Sequence, residues 1–85
     1  MLTLREEKII DQENVIGSNI RHLRLEKNMG QTELIKQLQL KNVDITRETL
    51  VKIEGGRQHI KLNQLKGIRN VLEVSYEALL NDLED

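Results

Sequence analysis

Apolar residues recur along this chain at helical spacing, and they are mostly Leu, Ile and Val. Three junctions repeat one arrangement, in which an apolar residue precedes a helix cap and a second stands at the fourth position of the helix. The pairs are Met29 with Leu34, Ile45 with Leu50, and Val74 with Leu79, and the caps are Gly30, Thr46 and Ser75. Such pairs form the hydrophobic staple that fixes how a chain enters a helix. The pattern therefore places three helix starts.

The same spacing predicts five helices, over about 13–27, 31–40, 47–54, 62–72 and 76–83. The third is expected to stop at Gly55-Gly56, because glycine readily takes the left-handed conformation that closes a helix. The apolar positions expected to face the core are Ile16, Ile20, Leu23, Leu34, Ile35, Leu38, Leu62, Leu65, Ile68, Leu72, Leu79, Leu80 and Leu83. We expect an all-α fold: a compact five-helix domain over residues 15–85.

Residues 1–14 form a separate N-terminal arm in this interpretation. Thr3-Leu4-Arg5-Glu6 has capping-box spacing, which predicts a possible extra helical turn over residues 4–12 or a backward extension of the first helix. A frayed acidic arm is the alternative, since chain ends are often poorly ordered.

Composition narrows the class of protein. The chain has 85 residues, which suits one small domain without a large internal cavity. It contains no Cys, which excludes disulfides and thiolate metal sites, and no long apolar run that predicts a membrane span or a secretory signal. The cytoplasm is the expected location.

The net charge of -1 conceals an uneven distribution. Residues 15–61 contain nine Lys and Arg against five Asp and Glu, a local charge of +4. Residues 1–14 carry -2 and residues 62–85 carry -3. Charges beyond about 8 Å are largely screened at physiological salt, so an anionic ligand at the middle segment meets mainly the positive excess. A solvated surface of mixed charge is the alternative interpretation.

Candidate chemistry is sparse. Only His22 and His59 are available as imidazole ligands, and His22 with Glu26 lacks the third ligand that a metal site needs. Gly55-Gly56-Arg57 closes a helix, whereas phosphate-cradling loops open one. We therefore expect no enzyme activity, no metal and no cofactor.

The outward face of the third helix is better suited to reading nucleic acid. It carries Arg47, Glu48, Val51 and Lys52. Arg and Lys can bond guanine, Glu can accept from the cytosine amino group, and Val can meet the thymine methyl. These four are the candidate base contacts.

Taken together, the segments I-G-S-N-I-R-H-L-R (16–24), G-Q-T-E-L-I (30–35), I-T-R-E-T-L-V-K-I-E-G-G-R (45–57) and L-E-V-S-Y-E-A-L-L (72–80) resemble the Cro/repressor-type helix-turn-helix regulators, also called xenobiotic-response-element-like regulators, of bacteria and phages. The resemblance spans about 16–80. It implies a sequence-specific, repressor-like transcriptional regulator that places its third helix in the major groove, commonly as a homodimer on a palindromic double-stranded DNA operator.

The resemblance also assigns residues. The implied phosphate contacts are Gln31, Thr46, Thr49, Arg57, His59 and Lys61. It implies a structural ion pair between Arg24 and Glu54. Family habit, together with the surplus of Leu and Tyr near the C-terminus, suggests a dimer interface at Tyr76, Leu80 and Leu83.

Three departures from the family pattern stand out. Gly30 replaces the usual Thr or Ser cap, and L-K-N-V-D lengthens the connection before Thr46 by about five residues. Arg69 replaces a core alanine, so its side chain must extend to the surface or meet an acidic partner.

Two questions stay open at this stage. A helix-turn-helix module that binds protein, such as an antitoxin-like or anti-repressor subunit, is the alternative function, with the acidic ends of the chain as its working surface. Glu48 is either a local helix-stabilising residue paired with Lys52 or a specificity element that accepts from cytosine.

Overall fold

The computed structural model describes residues 2–5 and 8–81. Two short strands, β1 (Leu2–Arg5) and β2 (Lys8–Asp11), precede five helices: α1 (Val15–Glu26), α2 (Gln31–Leu40), α3 (Arg47–Glu54), α4 (Leu62–Leu72) and α5 (Tyr76–Leu80). The predicted compact five-helix domain is confirmed, and α2, α3 and α4 begin and end at the predicted residues. No helix in the described ranges is long and apolar enough to cross a membrane.

The helix starts follow from their caps. Thr46 Oγ1 accepts a hydrogen bond from the Thr49 amide at 3.1 Å, and Ser75 Oγ accepts from the Ala78 amide at 3.0 Å. These bonds satisfy amides that have no partner within the helix. Gly30 caps α2 without a side-chain bond.

A fourth staple opens α4, where the sequence pattern was less obvious. Ile60 and Leu65 are both buried on either side of the cap residue Lys61. An ammonium group cannot accept a hydrogen bond, so only one half of a capping box forms here. In that half, Gln64 Oε1 accepts from the Lys61 amide at 2.9 Å.

The described part of the N-terminal arm contains two paired strands, β1 and β2, which we call the N-terminal hairpin, so the predicted extra helical turn is wrong. β1 and β2 pair antiparallel, with Thr3 opposite Ile10 and Leu4 opposite Ile9. The β-branched Ile9 and Ile10 favour an extended backbone. In that conformation Ile9 enters the core and its amide donates to the Ile60 carbonyl at 2.8 Å. Tertiary pairing therefore outweighs the local capping-box signal.

The core lies where the helices converge. Its buried members are Ile9, Ile16, Ile20, Leu34, Ile35, Leu38, Ile45, Leu50, Ile53, Ile60, Leu65, Ile68, Leu72 and Leu79. Leu62 is a correction, because this first residue of α4 is 39% exposed rather than core-facing. Leu23 and Leu80 are half-buried against the core.

α5 ends earlier than predicted, at Leu80, because Asn81 is extended. Buried Asn19 on α1 explains this end: its Nδ2 donates to the Leu79 carbonyl at 2.8 Å and to the Asn81 carbonyl at 2.7 Å. Leu83, predicted to lie on this helix, is outside the described residues.

The long connection between α2 and α3 is anchored at both ends. Val43 donates its amide to the Leu38 carbonyl at 3.0 Å, after Asn42 turns the chain in the left-handed region (φ 64°). Gln39 Nε2 donates to the Ile45 carbonyl at 3.1 Å. The inserted residues therefore form an ordered link between the two helices.

Candidate nucleic-acid interface

α3 presents one face to the core and the other to solvent. Leu50 and Ile53 are buried, whereas Arg47 and Glu48 are exposed. Val51 and Lys52 are half-buried. Of the four predicted base-contact residues, Arg47 and Glu48 are therefore open to solvent, while Val51 and Lys52 are partly covered.

A two-armed ion pair holds the last turn of α3 against α1. Arg24 Nε donates to Glu54 Oε2 and Arg24 Nη2 donates to Glu54 Oε1, each at 2.9 Å. The two side chains are only 7% and 3% exposed. Arg24 Nη1 also donates to the Met29 carbonyl at 2.8 Å, so the guanidinium reaches the chain just before α2. Several bonds on each charge are what a buried pair needs to offset desolvation.

Gln31 joins this pair from the start of α2. Its Nε2 donates to Glu54 Oε1 at 3.1 Å. Gln31 was implied as a phosphate contact, and this bond places it at the junction of α2 and α3. The carboxylate of Glu54 therefore links three helices.

Asn14 contacts the end of α3, which the sequence analysis did not predict. Its Nδ2 donates to the main-chain carbonyl of Glu54 at 3.1 Å. Its backbone is left-handed, with φ of 54°, a conformation that Asn tolerates better than most residues. The sequence did contain an indication of this residue: Asn14 stands immediately before the first apolar residues of α1, and Asn is a common helix cap.

Gly17 was also missed, although it lies on the α1 face that meets α3. A Cβ at this position would overlap the Ile53 carbonyl oxygen. The absence of a side chain allows α1 and α3 to approach closely. A glycine inside an otherwise helical pattern was the signal for such close packing.

The end of α3 is a Schellman motif. The Arg57 amide donates to the Lys52 carbonyl at 2.8 Å, and the Gly56 amide donates to the Ile53 carbonyl at 3.2 Å. Gly56 takes the left-handed conformation (φ 77°), whereas Gly55 remains right-handed. After this stop the chain presents Arg57 and His59 to solvent.

The hydroxyls of Thr46 and Thr49 lie 3.0 Å apart at the start of α3. When Thr46 donates in this pair, the Thr49 hydroxyl hydrogen remains available to an external acceptor. Both residues were implied as phosphate contacts, and the structure brings them together. Lys61, implied in the same role, is half-buried at the cap of α4.

Glu48 and Lys52 form an exposed ion pair one helical turn apart, with Glu48 Oε1 3.4 Å from Lys52 Nζ. An i, i+4 pair of this kind contributes about 0.2–0.5 kcal/mol to a helix. The helix-stabilising pair with Lys52 is therefore formed in the free protein. This geometry leaves its 81% exposed carboxylate open to further contacts.

Two of the three predicted dimer residues, Tyr76 and Leu80, lie on α5 near the C-terminus. Tyr76 is 38% exposed and Leu80 is half-buried; Leu83 lies outside the described residues. Arg69 stacks on the Tyr76 ring, with Cζ 4.8 Å from the ring centroid, and Nη1 donates to Asn70 Oδ1 at 3.3 Å. Arg69 thus has an aromatic partner, which the sequence interpretation did not anticipate. Within the described part of the chain, no three His, Asp or Glu side chains converge as metal ligands.

The fold is similar to that of a hypothetical transcription factor from Neisseria, NHTF, with a TM-score of 0.73 and 27% sequence identity. The likeness covers 99% of this chain and 93% of the Neisseria chain. No protein-family model matches this chain, and no curated protein matches it. The likeness to a solved structure thus extends over nearly the whole chain, hairpin included.

Proposed function

We propose that this protein is a sequence-specific DNA-binding transcriptional regulator, repressor-like in mode, that reads the major groove with α3. The observation that carries the proposal is the division of α3 into two faces. Its inner face is fixed to α1 and α2 through Glu54, while its outer face offers Arg47, Glu48 and Lys52 to solvent. A base-reading helix needs both properties, because a displaced helix loses its contacts with base edges.

The surroundings of α3 support the same assignment. Thr46 before its first residue and Arg57 after its end are two of the implied phosphate contacts, and they flank the base-reading residues in the sequence. Phosphate contacts fix the register of a protein on the duplex, and base contacts specify the sequence. The segment 15–61 supplies the net charge of +4 that such a surface needs. The similar Neisseria protein bears the description of a hypothetical transcription factor, which agrees with this class.

The decisive experiment is selection of binding sites from a random duplex library, followed by salt titration of the selected operator. We expect one enriched motif. If a dimer neutralises about six to ten phosphates, the affinity falls about 10³ to 10⁵-fold between 50 and 200 mM salt. A library without enrichment, or binding that does not respond to salt, would exclude this function.

A homodimer on a palindromic operator is part of the proposal. Two-fold symmetric dimers commonly read two half-sites about one helical turn apart. Tyr76 and Leu80 on α5 are the proposed contact residues, because both are apolar and both remain accessible. Light scattering of the free protein and of its operator complex tests this, and a monomer in both samples would exclude the dimer.

We propose that the protein acts in the cytoplasm and that its function involves neither catalysis nor a cofactor.

The competing function is a helix-turn-helix module that binds protein. A groove between α1 and α5 favours it, since Glu26 and Glu77 both line that groove together with His22. An acidic groove suits a basic segment of a partner. Failure of the random-library selection, combined with no retention on heparin at moderate salt, would support this alternative over DNA binding.

A further inference from the structure

The N-terminal hairpin is joined to the loop that follows α3. Lys8 and Lys61 form an antiparallel bridge, and the Ile9 amide donates to the Ile60 carbonyl at 2.8 Å. This bond lies beside the bridge, so Lys8 and Lys61 are a non-hydrogen-bonded pair. In such pairs the side chains leave the same face and approach more closely than in hydrogen-bonded pairs. The backbone therefore holds two lysines side by side.

This arrangement is electrostatically unfavourable in isolation. Like charges directly opposite each other on paired strands destabilise the pair. In the described ranges the ion pairs are His22 with Glu26, Arg24 with Glu54 and Lys52 with Glu48, so neither lysine has an acidic partner there. Asp11 lies on the same strand as Lys8, but its Oδ2 accepts from the Ile16 amide at 2.6 Å. Two paired lysines of this kind suit an anion that bridges both ammonium groups.

The position of the pair suggests which anion it would bind. Lys61 directly follows the segment that contains Arg57 and His59, the implied backbone contacts after α3. Lys8 is exposed, and main-chain pairing fixes it next to Lys61 although it lies more than 50 residues away in the sequence. The pairing thus places Lys8, from the acidic N-terminal part of the chain, beside Lys61 at the end of the basic segment 15–61.

We infer that the hairpin belongs to the DNA interface, and that Lys8 and Lys61 together bind a phosphate of the operator backbone. This inference rests on the proposed DNA-binding function and adds the hairpin to it. A phosphate contact carries no base information, so Lys8 strengthens binding to all sequences alike. Binding a phosphate also removes the repulsion between the two lysines, because the anion lies between them.

The test uses the full chain and the selected operator duplex, with affinity measured by fluorescence anisotropy over a salt series. Lys8→Gln is compared with Lys66→Gln, which removes the same charge from an exposed position on α4. For Lys8→Gln we expect the slope of log affinity against log salt to fall by about 0.9 per bound chain, which corresponds to about fivefold weaker binding per chain near 0.15 M salt. Lys66→Gln is expected to retain the wild-type slope.

Lys8→Glu provides a second readout that does not depend on DNA. A glutamate opposite Lys61 replaces repulsion by attraction, so the melting temperature of the free protein should rise above that of the wild type. DNA binding should fall further than in Lys8→Gln. Opposite changes in stability and affinity separate an anion-binding pair from a structural role, for which the two would fall together.

The outcomes distinguish this inference from the function on which it rests. Wild-type protein that binds its operator with a steep salt dependence, while Lys8→Gln matches Lys66→Gln, overturns the hairpin contact alone. Wild-type protein that binds no duplex overturns both. A reduced slope confined to the Lys8 variants, with the melting temperature raised in Lys8→Glu, supports the inference.

Discussion

The side-chain amide of Asn14 and the main-chain carbonyl of Glu54 are joined by a hydrogen bond of 3.1 Å. This bond ties the residue before α1 to the last turn of α3, next to the left-handed Gly56. Glu54 is therefore held at two points, by Asn14 through its backbone and by Arg24 through its carboxylate. The end of the proposed recognition helix is therefore anchored both to α1 and to the residue that precedes α1.

Glu54→Ala should lower the free energy of unfolding by about 3–5 kcal/mol, because it leaves the Arg24 guanidinium buried without its counter-charge. Urea unfolding monitored by circular dichroism measures the loss. Glu48→Ala is the control: this acid is exposed, and its loss should stay within about 0.5 kcal/mol.

The ion pair of Arg24 with Glu54 also predicts that stability is partly restored when both charges are removed. Replacing both partners with apolar residues, as in Arg24→Met with Glu54→Leu, should be less destabilising than Glu54→Ala alone, because no charge is stranded. A double variant that is as unstable as the sum of its single variants would show that the pair does not act as a unit.

Gly56→Ala should cost about 1–2 kcal/mol, because an L side chain is disfavoured in the left-handed region that Gly56 occupies. Gly56→Asn introduces a Cβ at the same place, 3.1 Å from Asn14 Cγ, yet Asn accepts left-handed backbone more readily. Thermal unfolding should therefore rank the Asn variant above the Ala variant. Equal losses would assign the cost to the contact with Asn14 instead of the backbone.

Gly30→Ser should stabilise the protein by about 0.5–1 kcal/mol. The cap backbone is extended and nothing lies within 4 Å of an added Cβ. Serine supplies the missing acceptor, restricts the unfolded chain, and stands three residues before Glu33 in capping-box spacing. Denaturant unfolding measures the gain. Gly17→Ser is the contrasting variant and should be strongly destabilised, since its Cβ would overlap the Ile53 carbonyl oxygen.

Glu48→Gln separates the two roles of Glu48. A specificity element predicts a lost preference for cytosine at one operator position, whereas a purely local role predicts an unchanged motif. Random-library selection with wild-type and variant protein gives the answer.

Lys52→Ala should change the base preference at one operator position, at a cost of about 1–3 kcal/mol in binding free energy there. Arg57→Ala should weaken binding to all sequences alike. Indistinguishable profiles for these two variants would contradict the assigned contacts.

The helix bounds were predictable because their determinants are local. A cap such as Thr46 and a staple such as Ile45 with Leu50 lie within a few residues of the helix start that they define. The outward face of α3 follows from the same spacing, because Leu50 and Ile53 fix which side is buried. Local pattern therefore located both the fold and the proposed reading face.

Distant pairing explains what the pattern missed. Residues 2–5 and 8–11 form paired strands, and Ile9 is held there by its bond to Ile60, about fifty positions away. α5 stops at Leu80 because Asn19, on the first helix, binds the carbonyl groups at its end. Neither partner can be identified from spacing alone, and the pairing of Lys8 with Lys61 likewise follows only from the fold.

The contact of Arg69 with Tyr76 bears on how two copies of the protein would associate. Tyr76 is accessible, yet its ring is stacked on a guanidinium that α4 holds in place. Ordering a flexible side chain at an interface costs about 0.5–1.5 kcal/mol, and a ring that is already ordered avoids most of that cost. In the proposed dimer, Tyr76 on α5 would therefore be a pre-organised aromatic anchor, and its ring would not need to be ordered when two copies associate.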